Sequence, residues 1–399
     1  MIPVSDQTID LLGGLSPQAF MRRHWQRKPL LIRQAIPGFK PPVGLPALRR
    51  LARRDDVESR LIWREDGQWQ MEHGPFARLP KAGEPDWTLL VQSVDLHDDA
   101  VAALLQRFRF VPDARLDDIM ISVAGAGGGV GPHFDSYDVF LLQAAGRRRW
   151  RYGRQRDLSL QPGLPLKILG SFEPEEEHVL EPGDMLYLPP QAAHDGVALD
   201  DGCMTISIGF RAPTMAALAR GLLEAAGDQA MARLGQPAGP YGDPPLPGPA
   251  PAGLYRDPGQ PATPQPAALP DALVQATLDT LARVRFDDAL ASRFLGCWLT
   301  EPNALAVFEP ADAPAVDLES DWPAHGRLRL DRRTRMLYRG RQLFINGETA
   351  PVPATPALRA LADARELDCA APGCRKLDAV ARACLADWLM AGWLRYEPR

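Results

Sequence analysis

The chain has 399 residues, 45% hydrophobic and 24% charged, with 50 acidic and 45 basic side chains and a formal net charge of −5. That length suggests two or three domains and supports a sizeable core, while the lack of any window near ~18 uninterrupted apolar residues excludes a membrane-spanning helix. Five scattered cysteines, Cys203, Cys297, Cys369, Cys374 and Cys384, exclude a disulfide scaffold and read as reduced structural thiols. The start, MIPVSDQTIDLLGG, has neither a basic leader region nor a long apolar run, so the expected location is the cytoplasm.

In chain order, Ser16 followed by Pro17 suits a helix N-cap with proline at the first position, and an amphipathic run continues to about Trp25. HWQRKPLLIR reads as helix end, turn and strand. A second helix is expected from Leu89 to Arg107. From Ile119 to Phe210 short strand-like runs alternate with Gly/Pro turns, the spacing of an antiparallel β-sandwich or barrel. Residues 236–270 are too rich in proline and glycine for helix or sheet and read as a linker. Ala272 to Cys297 is helical by periodicity, with Leu273, Leu278, Leu281 and Phe286 on one face, and the run from Met215 to Leu223 is equally apolar. Two apolar stripes of this kind predict a homodimer. From His325, RLRL, RMLYRG and RQLFINGE predict short strands with Arg-Gly and Asn-Gly turns. Helices over Pro356–Arg365 and Lys376–Ala391 and the strand-like WLRY complete a winged-helix order. The resulting division is a β domain with N-terminal helices over 1–212, a helical region over 213–322 that includes the linker, and a winged-helix-like domain over 323–399.

The segment GAGGGVGPHFDSYDVF places His133 and Asp135 two residues apart at the mouth of an apolar strand, where i and i+2 side chains share a face. Sixty-one residues on, EPGDMLYLPPQAAHDG supplies His194 after a strand and a Pro-Pro turn. Two imidazoles and a carboxylate are the facial ligand set of non-haem Fe(II) oxygenases, which leaves three coordination positions for an oxo-acid and dioxygen. His178 follows EPEEE with nothing to present it inward, and His24, His73, His97 and His325 are not expected to be ligands. A dicarboxylate co-substrate also needs a cation, and arginine pairs both oxygens of a carboxylate. In AAGRRRWRY one strand parity holds Arg147, Arg149 and Arg151, which can only be solvated; the other holds Arg148, Trp150 and Tyr152, so Arg148 is the candidate. Tyr137, Thr205 and Ser207 are hydroxyl donors on flanking segments that could help hold the co-substrate.

These residues resemble the JmjC-type cupin oxygenases, and within them the bacterial ribosomal oxygenases that hydroxylate a large-subunit ribosomal protein on an arginine side chain. HWQRKPLLI, DDIMIS, GGGVGPHFDSYDVFLLQAAGRRRW, EPGDMLYLPPQAAHDG and ISIGFRAP carry the resemblance, and the later segments follow in that subfamily's order. It implies a double-stranded β-helix (cupin jelly roll), a helical dimerisation region and a C-terminal winged helix. It also implies Fe(II) held by His133, Asp135 and His194, 2-oxoglutarate held by Arg148, and O2 as the second co-substrate. One departure is Ala124, where a polar co-substrate contact is expected. Independently, residues 95–201 carry eighteen acidic and ten basic residues, a rim suited to a basic substrate, with Asp118 the candidate for direct contact and Asp117 and Glu173 to Glu177 for steering. Residues 325–399 reverse the balance with fourteen basic against eight acidic residues, but few aromatics accompany the arginines, and direct nucleic-acid binding is not expected. The rival readings are a JmjC-type lysine demethylase, disfavoured because no aromatic cage for methylammonium is evident, and a non-enzymatic cupin and winged-helix binding protein, disfavoured by the complete set of His133, Asp135, His194 and Arg148.

Overall fold

A computed structural model describes residues 6–398 except 82, 235, 237–238, 243–254, 257, 260–264, 266, 283 and 312–315. The chain divides into two compact units, Met1–Ala212 and Pro213–Arg399.

The first unit starts as its sequence requires. Ser16 Oγ accepts the Ala19 N–H and Pro17 opens helix α1 (Pro17–Arg23), followed by β1 (Leu30–Ile32). Then come α2 (Leu45–Leu51), the hairpin β2 (Ser59–Glu65) and β3 (Gln68–His73), and β4 (Trp87–Val91). The helix expected from Leu89 is corrected here: WTLLV is a strand, and α3 covers only Asp99–Gln106, where the Asp98 carboxylate caps the N–H groups of Ala100 and Val101. All five residues of β4 are buried, and a strand covered on both faces shows no alternation, so its period cannot be told from that of a buried helix.

The remaining strands are β5 (Leu116–Ala124), β6 (Val139–Ala145), β7 (Arg148–Gly153), β8 (Glu176–Leu180), β9 (Met185–Leu188), β10 (Ala193–Ala198) and β11 (Cys203–Phe210). They form an eight-stranded sheet in the order β1-β9-β6-β11-β5-β4-β2-β3 and a three-stranded sheet in the order β10-β7-β8, with antiparallel pairing throughout. The cupin expectation is met. Phe140 and Leu142 of β6 join Ile206 and Ile208 of β11 and Ile119 and Ile121 of β5 in a core with α1 and α3, and Phe20 sits edge-on to Tyr187 within it. Val139 and Leu141, of the opposite parity, meet Trp150, Tyr152, Leu186 and Leu188 inside the barrel. Each central strand therefore buries both faces, and that is why VFLLQAA is apolar almost throughout.

In the second unit, α4 (Met215–Arg233) packs its small residues Gly221, Ala225 and Ala226 against Phe294 and Leu290. The single helix expected over Ala272–Cys297 is two, α5 (Asp271–Leu281) and α6 (Asp288–Thr300), separated where the Asp287 carboxylate accepts the Leu290 N–H and starts a new helix. Leu273, Leu278 and Phe286 are exposed, and the Leu281 side chain lies outside the described residues. So does most of the expected linker over 236–270, although Tyr241 within it is described and meets the Phe294 ring edge-on.

Two small sheets follow. One is β12 (Arg327–Leu330) between β16 (Glu366–Asp368) and β17 (Leu394–Glu397); the other is β13 (Met336–Arg339), β14 (Gln342–Ile345) and β15 (Glu348–Thr349). Asn346 and Gly347 both have positive φ in the two-residue loop joining Ile345 to Glu348, the primed turn that an Asn-Gly pair predicts. α7 (Pro356–Ala364) and α8 (Ala379–Met390) cover the apolar face through Leu358, Leu361, Leu385 and Trp388. Gly296 of α6 lies against Phe344 of β14, so this helix shares a core with the strands.

Candidate active site

The Gly-rich loop between β5 and β6 carries His133 and Asp135, and β10 carries His194. His133 is not within a strand, as its spacing from Asp135 suggested. It is an isolated bridge residue whose N–H and C=O pair with the C=O and N–H of His194 at 2.9 and 2.8 Å. Across that bridge the two imidazole centroids are 4.2 Å apart. Each Nδ1 faces a carbonyl two residues back, His133 to Gly131 and His194 to Ala192, both at 2.9 Å. A carbonyl only accepts, so both Nδ1 atoms carry the proton and both Nε2 lone pairs are left for another partner, the arrangement metal-binding histidines adopt. Gly131 has φ +77°, and a Cβ there would lie 2.6 Å from Ile168 Cδ1 and 2.8 Å from Trp69 Cζ2. The Asp135 carboxylate comes to 3.8 Å from His194 Nε2, and one potential ligand atom from each residue lies within 4.8 Å of the others. Burial and the neighbouring His133 lower the pKa of His194 to about 4, so its imidazole is neutral at physiological pH. The three residues fit a divalent metal. His178 is not among them: it pairs with Glu176 on β8.

Arg148 opens β7 with its side chain inside the barrel at 4% exposure, whereas Arg147 points outward to Asp200 at 2.9 Å. Arg148 Nη1 donates to Gly196 O at 3.1 Å, while Nε and Nη2 are buried without a partner. Those two N–H groups form the side-on fork that grips a carboxylate with two parallel hydrogen bonds. A buried cation with its fork unused calls for an anion, so the barrel fits a dicarboxylate as well as a metal. Thr205 and Ser207 are both buried on β11, on the parity opposite Ile206 and Ile208. The Thr205 hydroxyl donates to Gln143 Oε1 at 3.0 Å, and the Gln143 amide donates to the carbonyls of Ala145 and Gly146. Ala124 packs with Ala198 and Cys203, and Ala198 lies opposite Arg148 across the β10 pairing.

Tyr137 is 38% exposed as a whole residue, but its hydroxyl is turned toward Asp135, to which it is hydrogen-bonded, and lies close to Asp118 and Arg60; desolvation of that hydroxyl first, then the two carboxylates, raise its pKa. Asp118 Oδ2 accepts from Gln92 Nε2 at 2.7 Å and from the N–H and hydroxyl of Ser93 at 3.1 and 2.7 Å, and burial and Asp117 raise its pKa. Behind it, Asp95 is pushed up to about 7 by burial and by Asp118. The mouth is therefore acidic, and its carboxylates are fixed in place.

Three features escaped the sequence reading. Trp150 places its ring centroid 5.8 Å from that of His194; sharing a strand parity with Arg148 was the available signal. Gln143 interrupts an apolar strand, a signal in itself. Asp138 is fully buried and accepts from the Tyr187 hydroxyl at 2.6 Å and Gln26 Nε2 at 3.1 Å, bracing the loop that carries His133 and Asp135 against the segment after α1.

A cupin barrel with a two-imidazole, one-carboxylate cluster and an inward arginine fork defines a class, the oxo-acid-dependent oxygenases. A family model described as the JmjC domain matches residues 103–218, and one described as the ROXA-like winged helix matches residues 283–395. Ribosomal protein uL16 3-hydroxylase of Escherichia coli is 36% identical over 351 residues, covering 86% of this chain and 87% of that protein. The solved structure of YcfD, a ribosomal oxygenase from Escherichia coli, superposes with a TM-score of 0.76 at 31% identity, covering 98% of this chain and 99% of that one. A second structure of YcfD, in complex with cobalt and 2-oxoglutarate, gives the same TM-score at 32% identity over the same shares. The chain belongs to the JmjC-type ribosomal oxygenases, and it is a 2-oxoglutarate-dependent enzyme.

Proposed function

We propose that this chain hydroxylates an arginine side chain of the large-subunit ribosomal protein uL16 in the cytoplasm, using Fe(II), 2-oxoglutarate and O2, and that it works as a homodimer. The observation that carries the reading is the unused fork of Arg148, buried in the same barrel as His133, Asp135 and His194. In this reading the two Nε2 atoms and the Asp135 carboxylate hold the iron, and Arg148 takes the distal carboxylate of the co-substrate, with Thr205, Ser207 and Tyr137 around it. Iron held there would supply the activation of dioxygen that is coupled to decarboxylation of the oxo-acid to succinate and CO2. Val139, Leu141, Leu186 and Leu188 keep water from the interior, where an oriented C–H must meet the activated oxygen. Asp118, buttressed by Ser93 and Gln92, receives the substrate guanidinium at the acidic mouth.

The functional division is residues 1–212 for chemistry, 213–322 for dimerisation and 323–399 for a winged helix that needs no nucleic acid. Cytoplasmic placement follows from a ribosomal substrate; among the described residues no helix is long and apolar enough to cross a membrane.

Incubating the full-length protein with Fe(II), 2-oxoglutarate and uL16 should add the mass of one oxygen atom to one arginine-containing peptide. His194→Ala should remove that product while circular dichroism shows the fold retained. Co-substrate turnover without modified uL16 overturns the substrate assignment, and demethylation of a methyl-lysine peptide in its place favours the demethylase.

A further inference from the structure

Strand β7 puts Arg148, Trp150 and Tyr152 on the barrel side, and their polar groups have different fates. Arg148 Nη1 donates to Gly196 O, and the Tyr152 hydroxyl donates to Glu176 Oε2 at 2.8 Å. Trp150 is 6% exposed, and its indole N–H is buried with no acceptor. A donor in that condition needs an explanation, and a ligand that brings the acceptor is one.

The indole is held in place by Gly196, directly opposite in the register. A Cβ at Gly196 would lie 2.6 Å from Trp150 Cζ3 and 2.7 Å from Cη2, so only glycine leaves room for the ring. The three nearest ring atoms, Cζ3, Cη2 and Cε3, would lie at 2.6–2.8 Å from that Cβ, so Gly196 lies against the face of the benzo ring. The ring centroid is 5.8 Å from Arg148 Cζ and 5.8 Å from the His194 ring centroid. The ring is thus a neighbour of both the cation and the metal-side imidazole, and a group lying between those two would be within reach of its unpaired N–H. That is the course of an oxo-acid with its distal carboxylate on Arg148 and its keto end at His194. Gly196 serves both donors: its carbonyl turns Arg148, and its missing side chain seats Trp150.

We propose that Trp150 Nε1–H is a further hydrogen-bond donor to the distal carboxylate of the co-substrate, beside Arg148 Nε and Nη2. The inference rests on the co-substrate site proposed above. A fork uses one lone pair on each carboxylate oxygen, and the remaining lone pairs can take another donor.

The test compares wild type with Trp150→Phe, which keeps a ring over Gly196 and removes the N–H. The full-length protein loaded with Mn(II) is titrated calorimetrically with 2-oxoglutarate and with 2-oxobutyrate, which lacks the distal carboxylate. About tenfold weaker 2-oxoglutarate binding is expected, as one charge-assisted hydrogen bond implies, with unchanged Mn(II) and 2-oxobutyrate affinity. Equal 2-oxoglutarate affinity in the two proteins overturns the proposal, as does a parallel loss for both acids, which would put the donor at the metal end. In wild type loaded with Zn(II), 2-oxoglutarate should shift one indole N–H resonance downfield and 2-oxobutyrate should not; no shift overturns the proposal without relying on a variant. Wild type that binds Mn(II) but no 2-oxoglutarate would overturn the co-substrate site itself.

Discussion

Arg147 and Arg148 are adjacent cations in opposite surroundings, one ion-paired with Asp200 in solvent and one buried with two donors unspent. Arg148→Ala should raise the apparent KM for 2-oxoglutarate by the equivalent of about 2–5 kcal/mol, because a carboxylate would then lie unpaired in a dry site. Arg147→Ala should leave it unchanged, and equal effects in steady-state kinetics would show that strand parity was the wrong guide. Asp95 offers a prediction on stability. Its pKa, raised by burial and by Asp118 to about 7 from the ordinary carboxylate value of 3.8, means that the folded state binds a proton more tightly than the unfolded chain does. That contribution is fully present below about pH 4 and is lost as the pH rises to about 7. Asp95→Asn keeps an acceptor for the Ile119 N–H that Asp95 Oδ1 now takes at 2.8 Å. Urea unfolding should therefore show a flatter profile between pH 4 and 7 for the variant, and at pH 8 a gain on the order of 2 kcal/mol over wild type.

At the scale of elements, α4 and α6 meet through Gly221, where a Cβ would come 2.2 Å from Phe294 Cζ. Alanine normally stabilises a helix over glycine by about 1 kcal/mol. Here Phe294 is stacked on Trp298 at 5.3 Å and meets Tyr241 edge-on, so it has little room to yield, and overpacking costs about 1–3 kcal/mol. Gly221→Ala should lower the thermal midpoint, and an increase would show that the ring gives way. The sequence carried much of this architecture. Caps at Ser16, the Asn346-Gly347 turn and the apolar run of β6 are local signals, and local signals survive in a linear chain. WTLLV and the break before Asp287 did not read correctly, because periodicity alone does not separate a doubly buried strand from a helix or show where one helix stops and another begins. The clustering of His133, Asp135 and His194 and the inward side chain of Arg148 were legible because residue type and strand parity are written in a few adjacent residues. The Asp138 brace joins partners 49 and 112 residues away, and the idle indole of Trp150 is visible only once its neighbours are in place.

For the molecule as a whole, α4 presents Met215, Ala219, Leu223, Gly227 and Met231 at four-residue spacing, all exposed, while α5 exposes Leu273, Val274 and Leu278. An uncovered apolar stripe normally buries itself against a partner, and a two-fold axis lets one patch cover another copy of itself. Light scattering at micromolar concentration should give twice 43.8 kDa, and Leu223→Asp with Met231→Asp should give the single-chain mass; a wild-type monomer would remove the dimer. The reciprocal bridge between His133 and His194 has a different consequence. Two backbone hydrogen bonds fasten the segments that carry the proposed ligands to each other, so the two imidazoles are brought together by chain folding and need no ion to do it. Metal-free protein should then keep these two amides protected from hydrogen exchange, and a cell short of iron would accumulate a folded, reloadable reserve of enzyme.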